Sequence, residues 1–309
     1  MAGSATALKR LGNAAMSVLP DRPRIAIKRH VRGYRERGRL ARADLVVIGH
    51  PKSGNTWMRF QLARVYQRKY GLDETVIPNV EALRGLNAAI PQLHMGAYNY
   101  IRPLLAGPAP APELEGKAIV FMVRHPLDVM VSLYLHIQKH ALRERKLIND
   151  WPLDLANVSM LDFALGSNWG LRPLIAFFND SLRHRRRLER SMILPYETMR
   201  LQPVETLMAV TALAGGAVTL DEAEEATDFA SFDNLRKAEV ENRFRTTRLR
   251  AANPDDPDSF KVRRAKVEGF RDYFPESELR ELAAIIEREL DPELGYRVAP
   301  PASAASTTT

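Results

Sequence analysis

Apolar positions along the chain fall into short solid runs and longer periodic ones. Residues 45–49 (LVVIG) and 118–123 (AIVFMV) are continuous apolar runs rich in β-branched side chains. That is the pattern of strands buried on both faces of a parallel sheet. A turn and a helical period follow each run. In NTWMRFQLARVYQRKYG, Trp57, Phe60, Leu62, Val65 and Tyr66 fall mainly at helical spacing, and Gly71 ends the segment. After the second run a helix is entered through Pro126. The spacing predicts further helices over 158–167, 171–188, 203–214, 220–229 and 275–289, with a short strand, SMILPY, over 191–196. GPAPAP at 107–112 reads as a surface loop. Alternation of strands and helices predicts an α/β fold with a central, mainly parallel sheet flanked by helices.

Charge divides the chain. Residues 1–44 hold eleven Lys/Arg against three Asp/Glu, while the remaining residues are balanced at 34 of each. The expected organisation is a basic N-terminal arm over 1–44, one domain over 45–298, and a disordered Pro/Ala/Ser/Thr tail over 299–309. The arm reads as a solvated, partly helical lead-in. It offers peripheral contact with anionic lipid, where each basic residue contributes about 1 kcal/mol near the surface. No specific nucleic-acid contact is expected. The 309 residues contain no cysteine, which removes disulfides and thiolate metal sites. The first residues lack the apolar core of a signal peptide, and no run is long enough to span a bilayer. The expected location is cytoplasmic, with the inner membrane surface as a peripheral site.

The candidate chemistry begins in VVIGHPKSGNTW. Gly49, Gly54 and Thr56 keep the frame of the phosphate-binding loop G-x-x-x-x-G-K-[ST], but Asn55 stands where the lysine belongs. In a triphosphate-splitting loop that lysine reaches the β- and γ-phosphates. Asn55 supplies no such charge, and Lys52 lies on the near limb instead. Main-chain amides near Ser53 to Thr56 remain able to wrap an anion. A donor with one 5′-phosphate and a small group beyond it fits better than a triphosphate. In the second strand–helix unit, RHPLDVMVS places Arg124 at a strand end and Ser132 within the helix. A guanidinium fork and a hydroxyl suit a second phosphate. Two phosphate-binding elements at strand ends imply a nucleotide phosphorylated at two places, such as a 3′,5′-bisphosphorylated adenosine.

PKSGNTW resembles the P-K-S-G-T-T-W loop of the PAPS-dependent sulfotransferases, which transfer a sulfuryl group from 3′-phosphoadenosine 5′-phosphosulfate. VRHPLDVMVSLYLH resembles their R-N-P-x-D-x-x-V-S motif. LPYETM, ASFDNLRK and KVRRAKVEGFRDYF are similar to three later stretches of that family, in the same order over about residues 44–296. The resemblance implies a P-loop-like three-layer fold and roles for individual residues. Lys52 would stabilise the sulfuryl transition state. Ser53, Gly54, Asn55 and Thr56 would cradle the 5′-phosphate, and Trp57 would lie by the adenine. Arg124 and Ser132 would hold the 3′-phosphate, aided by Arg263 and Arg264. Tyr196, Ser231 and Phe232 would line the base. His94, the one histidine between Trp57 and Val123, would be the catalytic base, with Glu81 in reserve.

PAPS is the expected co-substrate. The expected acceptor carries a hydroxyl or an amine, on a small molecule, lipid or glycan. No metal is expected. His136 and His140 share a helix face at i, i+4, but no neighbouring glutamate or cysteine completes a metal site, and both read as ordinary helix residues. Two other functional classes remain: a P-loop nucleotide kinase, disfavoured by Asn55, and a non-catalytic nucleotide-binding adaptor held to membrane or nucleic acid by the basic arm.

Overall fold

The computed structural model describes residues 18–298 except 78, 247–248, 252, 254–255, 257–259 and 263–265. Four parallel strands form the sheet: β1 (Leu45–Gly49), β2 (Leu93–Gly96), β3 (Ala118–Val123) and β4 (Ser191–Pro195), in the order β2-β1-β3-β4. The two central strands are the two continuous apolar runs, and every residue in them is buried. Side chains alternate between faces. Val46, Ile48, Ile119, Phe121 and Val123 join one core layer, and Leu45, Val47, Ala118, Val120 and Met122 join the other.

Helices cover both layers. On the second face lie α2 (Asn55–Lys69), α9 (Pro203–Leu213) and α10 (Leu220–Phe229). The first face is covered by α3 (Tyr98–Leu105), α4 (Pro126–Lys139), α6 (Met160–Leu165), α7 (Leu171–Arg185) and α12 (Glu276–Glu289). The remaining α-helices among the described residues are α1 (Asp21–Arg42), α5 (Arg143–Ile148), α8 (Tyr196–Leu201) and α11 (Phe232–Val240).

The chain leaves β1 for one side of the sheet, where β2 pairs, and then crosses β1 to build β3 and β4 on the other. The β1/β3 boundary is therefore the topological switch point, where loops diverge and leave a crevice beyond the strands' carboxyl ends. Both phosphate motifs sit there, in the loop after β1 and at the entry to α4.

The arm differs from the expected solvated lead-in. Residues 21–42 form one docked helix, α1, with Ile25 and Leu40 buried. Arg29 donates to the Leu147 carbonyl at 2.8 Å, the Ile148 carbonyl at 3.2 Å and Asp150 at 2.6 Å, and Lys28 pairs with Glu144. Glu36, 4% exposed, accepts from the Ala97 amide at 2.6 Å and meets His94. Lys28, Arg29 and Glu36 of the arm are thus spent on fixed partners in the body, as are Asp21 on Arg143 and Arg32 on Glu144. No described helix is long and apolar enough to cross a membrane.

Candidate active site

The loop between β1 and α2 is built by unusual backbone. Lys52 takes φ 80° and Gly54 takes φ 102°. A Cβ on Gly54 would lie 2.9 Å from Tyr196 Cδ2 and 3.1 Å from the Met122 and Met199 methyls, so glycine is required for space as well as for φ. The Ser53 amide turns back to the His50 carbonyl at 3.1 Å. The cradle is therefore made by the first turn of α2, whose N–H groups have no intrahelical acceptors and lie at the positive end of the helix dipole. Asn55 does not replace a lysine's charge. Its Nδ2 donates to the Gly49 and His50 carbonyls, each at 3.2 Å, and so ties the loop to the end of β1. The fit is close: a Cβ on Gly49 would come within 2.3 Å of Asn55 Oδ1.

Arg124 leaves the end of β3 and joins the two motifs. Its Nη1 donates to the Lys52 carbonyl at 3.3 Å, and its guanidinium lies 4.4 Å above the Tyr196 ring. Asp128 stands 3.6 Å from Arg124 and accepts from the Glu268 and Phe270 amides, both at 3.0 Å. Burial pushes the Asp128 carboxyl up, while Arg124 and those amides oppose the shift. One carboxylate thus fixes Arg124 and pins the late segment onto α4. Arg263, Arg264 and Ala265 lie outside the described residues, but Lys261, Lys266, Gly269 and Asp272 from the same stretch line the cavity.

That cavity has a volume of about 500 Å³. It brings together Lys52, Gly54, Asn55, Thr56, Trp57, Arg124, Ser132, Tyr196 and Phe232. Trp57 is held by its indole N–H on the Ala230 carbonyl at 2.7 Å, edge-on to Tyr196 at 5.9 Å. Ser231 serves the backbone instead, accepting from the Asn234 amide at 3.4 Å as the N-cap of α11. Three buried polar atoms at the switch point have no hydrogen-bond partner: the donors Ser53 Oγ and Arg124 Nε, and the acceptor Asn55 Oδ1. Buried donors are rarely left unmet, so the residues present fit a polyanionic ligand.

The expected base is not at this cavity. His94 belongs to β2, is 2% exposed, and holds Glu36 Oε1 at 2.9 Å from its Nε2. The reserve candidate, Glu81, pairs with Arg59 at 2.7 Å and does not line the cavity either. The histidine that does is His136, 9% exposed, with a buried Nδ1 that has no partner. Its ring stands edge-on to Trp151 at 6.1 Å and stacks on His140 at 5.4 Å. Burial first, and then the positive charge of Lys52, push its pKa down to about 2. The imidazole is neutral and its neighbour is the loop lysine. The sequence signal was present: His136 follows Ser132 by four residues and shares its helix face. A second chamber continues from Tyr98, Asn99, Asn149 and Trp151 to His50 and Trp169. Among the described residues, no group of three potential metal ligands occurs.

Comparison with known proteins places this arrangement. A model of the sulfotransferase domain matches residues 42–292. The chain belongs to the sulfotransferase family. The family domain begins at the last residue of α1, so the body of that helix lies ahead of it. No curated protein sequence matches the chain. Among solved structures, mouse sulfotransferase SULT7A1 complexed with PAP is 14% identical, with a TM-score of 0.52, covering 82% of this chain and 89% of its own. Retinol dehydratase in complex with androsterone and inactive cofactor PAP is 17% identical, with a TM-score of 0.54, covering 84% and 82%. The same enzyme in a complex with retinol and PAP is 16% identical, with a TM-score of 0.54 and coverage of 84% and 83%. These likenesses support the fold: a parallel sheet with helices on both faces.

Proposed function

We propose that the chain transfers a sulfuryl group from PAPS to a hydroxyl or amine acceptor and releases adenosine 3′,5′-bisphosphate (PAP). The observation that carries this reading is the junction of the two phosphate elements. A loop without the triphosphate lysine and a strand-end arginine meet in one cavity, bonded through the Lys52 carbonyl, with a buried donor unmet in each element. The solved relatives named above were crystallised with PAP, which supports the same donor.

PAPS supplies an activated sulfuryl group whose leaving group is the 5′-phosphate of PAP. The amides opening α2 and the Ser53 hydroxyl hold that phosphate, and Lys52 offsets the charge that develops on the bridging oxygen. Arg124 and Ser132 hold the 3′-phosphate, with Arg263 and Arg264 expected to assist. Trp57, Tyr196 and Phe232 take the base. The His136 imidazole accepts the acceptor's proton. Bound donor anions oppose the fields of Lys52 and Lys261, both of which depress this imidazole. Its basicity therefore rises when the donor arrives. As the acceptor oxygen bonds to sulfur, the bond from sulfur to the phosphate oxygen breaks and the acceptor's proton passes to His136.

The deciding experiment is transfer of labelled sulfate from PAPS by purified protein to products of a cell extract. Labelled product that requires both the extract and Lys52 supports the reading. Calorimetry showing no binding of PAPS or PAP overturns it.

A further inference from the structure

The cavity holds more positive charge than its donor elements use. Its lining includes eight Lys or Arg and two Asp. Arg59 is neutralised by Glu81, and Lys266 pairs with Asp272 at 2.8 Å. Lys52 and Arg124 belong to the phosphate elements. At the other end, beside Asn149 and Trp151, stand Arg145 of α5 and Arg32 of α1. Arg32 reaches Glu144 at 3.6 Å, a carboxylate already held by Lys28. The Arg145 guanidinium has no ion-pair or hydrogen-bond partner among the described residues, and the charged group that acts on it is Arg32, of the same sign. Tyr100 lines the same end, with a buried hydroxyl that has no partner and with Arg32, Arg29 and the His94-bound Glu36 as charged neighbours. Two like guanidiniums lining one cavity, with an unmet hydroxyl buried beside them, form an oxyanion receptor. His136 lies within the field of both Lys52 and Arg145.

We propose that the acceptor carries an oxyanion, a carboxylate or a phosphate or sulfate monoester, seated on Arg145 with Arg32 and Tyr100, while its hydroxyl or amine faces His136. This rests on the sulfotransfer reading and names the acceptor class for it. Asn99 and Asn149, hydrogen-bonded to each other, form the polar floor between the two ends. Most of the receptor comes from α1 and α5, which are clasped by Arg29 and Lys28. The leading helix therefore takes part in choosing the substrate.

The test is calorimetry on PAP-saturated, full-length protein. Two matched pairs serve as probes: 3-(4-hydroxyphenyl)propanoate with its primary amide, and glycerol 3-phosphate with glycerol. The expected result is that at least one anion binds about tenfold or more tightly than its neutral partner. Arg145→Met should abolish that preference without altering PAP affinity, and Arg145→Lys should retain part of it. Equal binding within both pairs, no binding by any probe, or an undiminished preference in Arg145→Met overturns the proposal. Failure of PAP itself to bind overturns the donor reading alone. The paired comparison of wild type with Arg145→Met is then made without PAP and still decides the acceptor end.

Discussion

Asn55→Ala isolates what the departure from the triphosphate loop does. The amide braces two carbonyls, those of Gly49 and His50, at 3.2 Å each. Each such bond contributes about 0.5–1.5 kcal/mol net. Both are long for N–H···O contacts, so a sum of about 2 kcal/mol is appropriate. This loss can emerge in two ways. If the loop keeps its shape without the brace, the whole domain is less stable and PAP affinity is unchanged. If the loop opens locally, PAP must close it, and its Kd rises by up to about 30-fold. In both cases the PAP-bound form loses the same free energy relative to the unfolded chain. The informative assay is therefore thermal unfolding at one saturating PAP concentration, judged together with Kd. For a domain of this size, about 2 kcal/mol lowers Tm by roughly 4–8 °C. A PAP-saturated Tm within a degree of wild type would show that the amide braces nothing, and the account of the loop would have to be given up.

Gly54→Ala forces a left-handed φ on a residue whose Cβ meets Tyr196 at 2.9 Å. A stability loss of about 2–4 kcal/mol is expected in urea titrations, and a loss below 0.5 kcal/mol would contradict the packing. Lys52→Met should lower kcat by about 10²–10³-fold, measured by single-turnover sulfate transfer; an unaltered rate would remove the lysine from the chemistry. His136→Gln should cost about 10²–10⁴-fold in turnover, while His94→Gln should change Tm and leave kcat per folded molecule near wild type. The reverse ranking would restore His94 as base. Stability should also fall with acid. Burial first lowers His50 to about 4 and His136 to about 2, whereas both titrate near 6.5 when unfolded. Below pH 6.5 the unfolded chain takes up protons that the folded one refuses, so unfolding becomes easier as pH falls toward those folded values. Urea titrations at pH 7.5 and 5.5 should differ by roughly 2–3 kcal/mol, and equal midpoints would argue that these rings are open to solvent.

Strands buried on both faces announce themselves, because nothing polar can be tolerated in them. For this reason β1 and β3 were legible to the residue, and the motifs at their ends came with them. Helices α9, α10 and α12 followed from long periodic faces, to within a residue or so at each end. β2 was not legible. LHMG is four residues long and carries a histidine and a glycine, and its burial is supplied by α1, whose Glu36 lies 58 positions away. The same tertiary partner explains His94: its place between the motifs suggested a base, but the residue that occupies its nitrogen cannot be read locally. His136 reads in the sequence as an ordinary helix residue, because a histidine on a buried helix face stands out only once a cavity and a lysine are found beside it. The arm's charges suggested solvent for want of any local clue to Glu144, Leu147 or Asp150 as partners. Asn55 was assigned to the cradle, and only the folded loop reveals its side chain turned back upon β1.

The docking of α1 has a consequence for how the site could be altered. The donor apparatus sits wholly within the inherited domain, whereas part of the opposite wall is contributed by a segment almost entirely upstream of it. Exchange of that leader alone would re-shape what enters while leaving the sulfate source untouched.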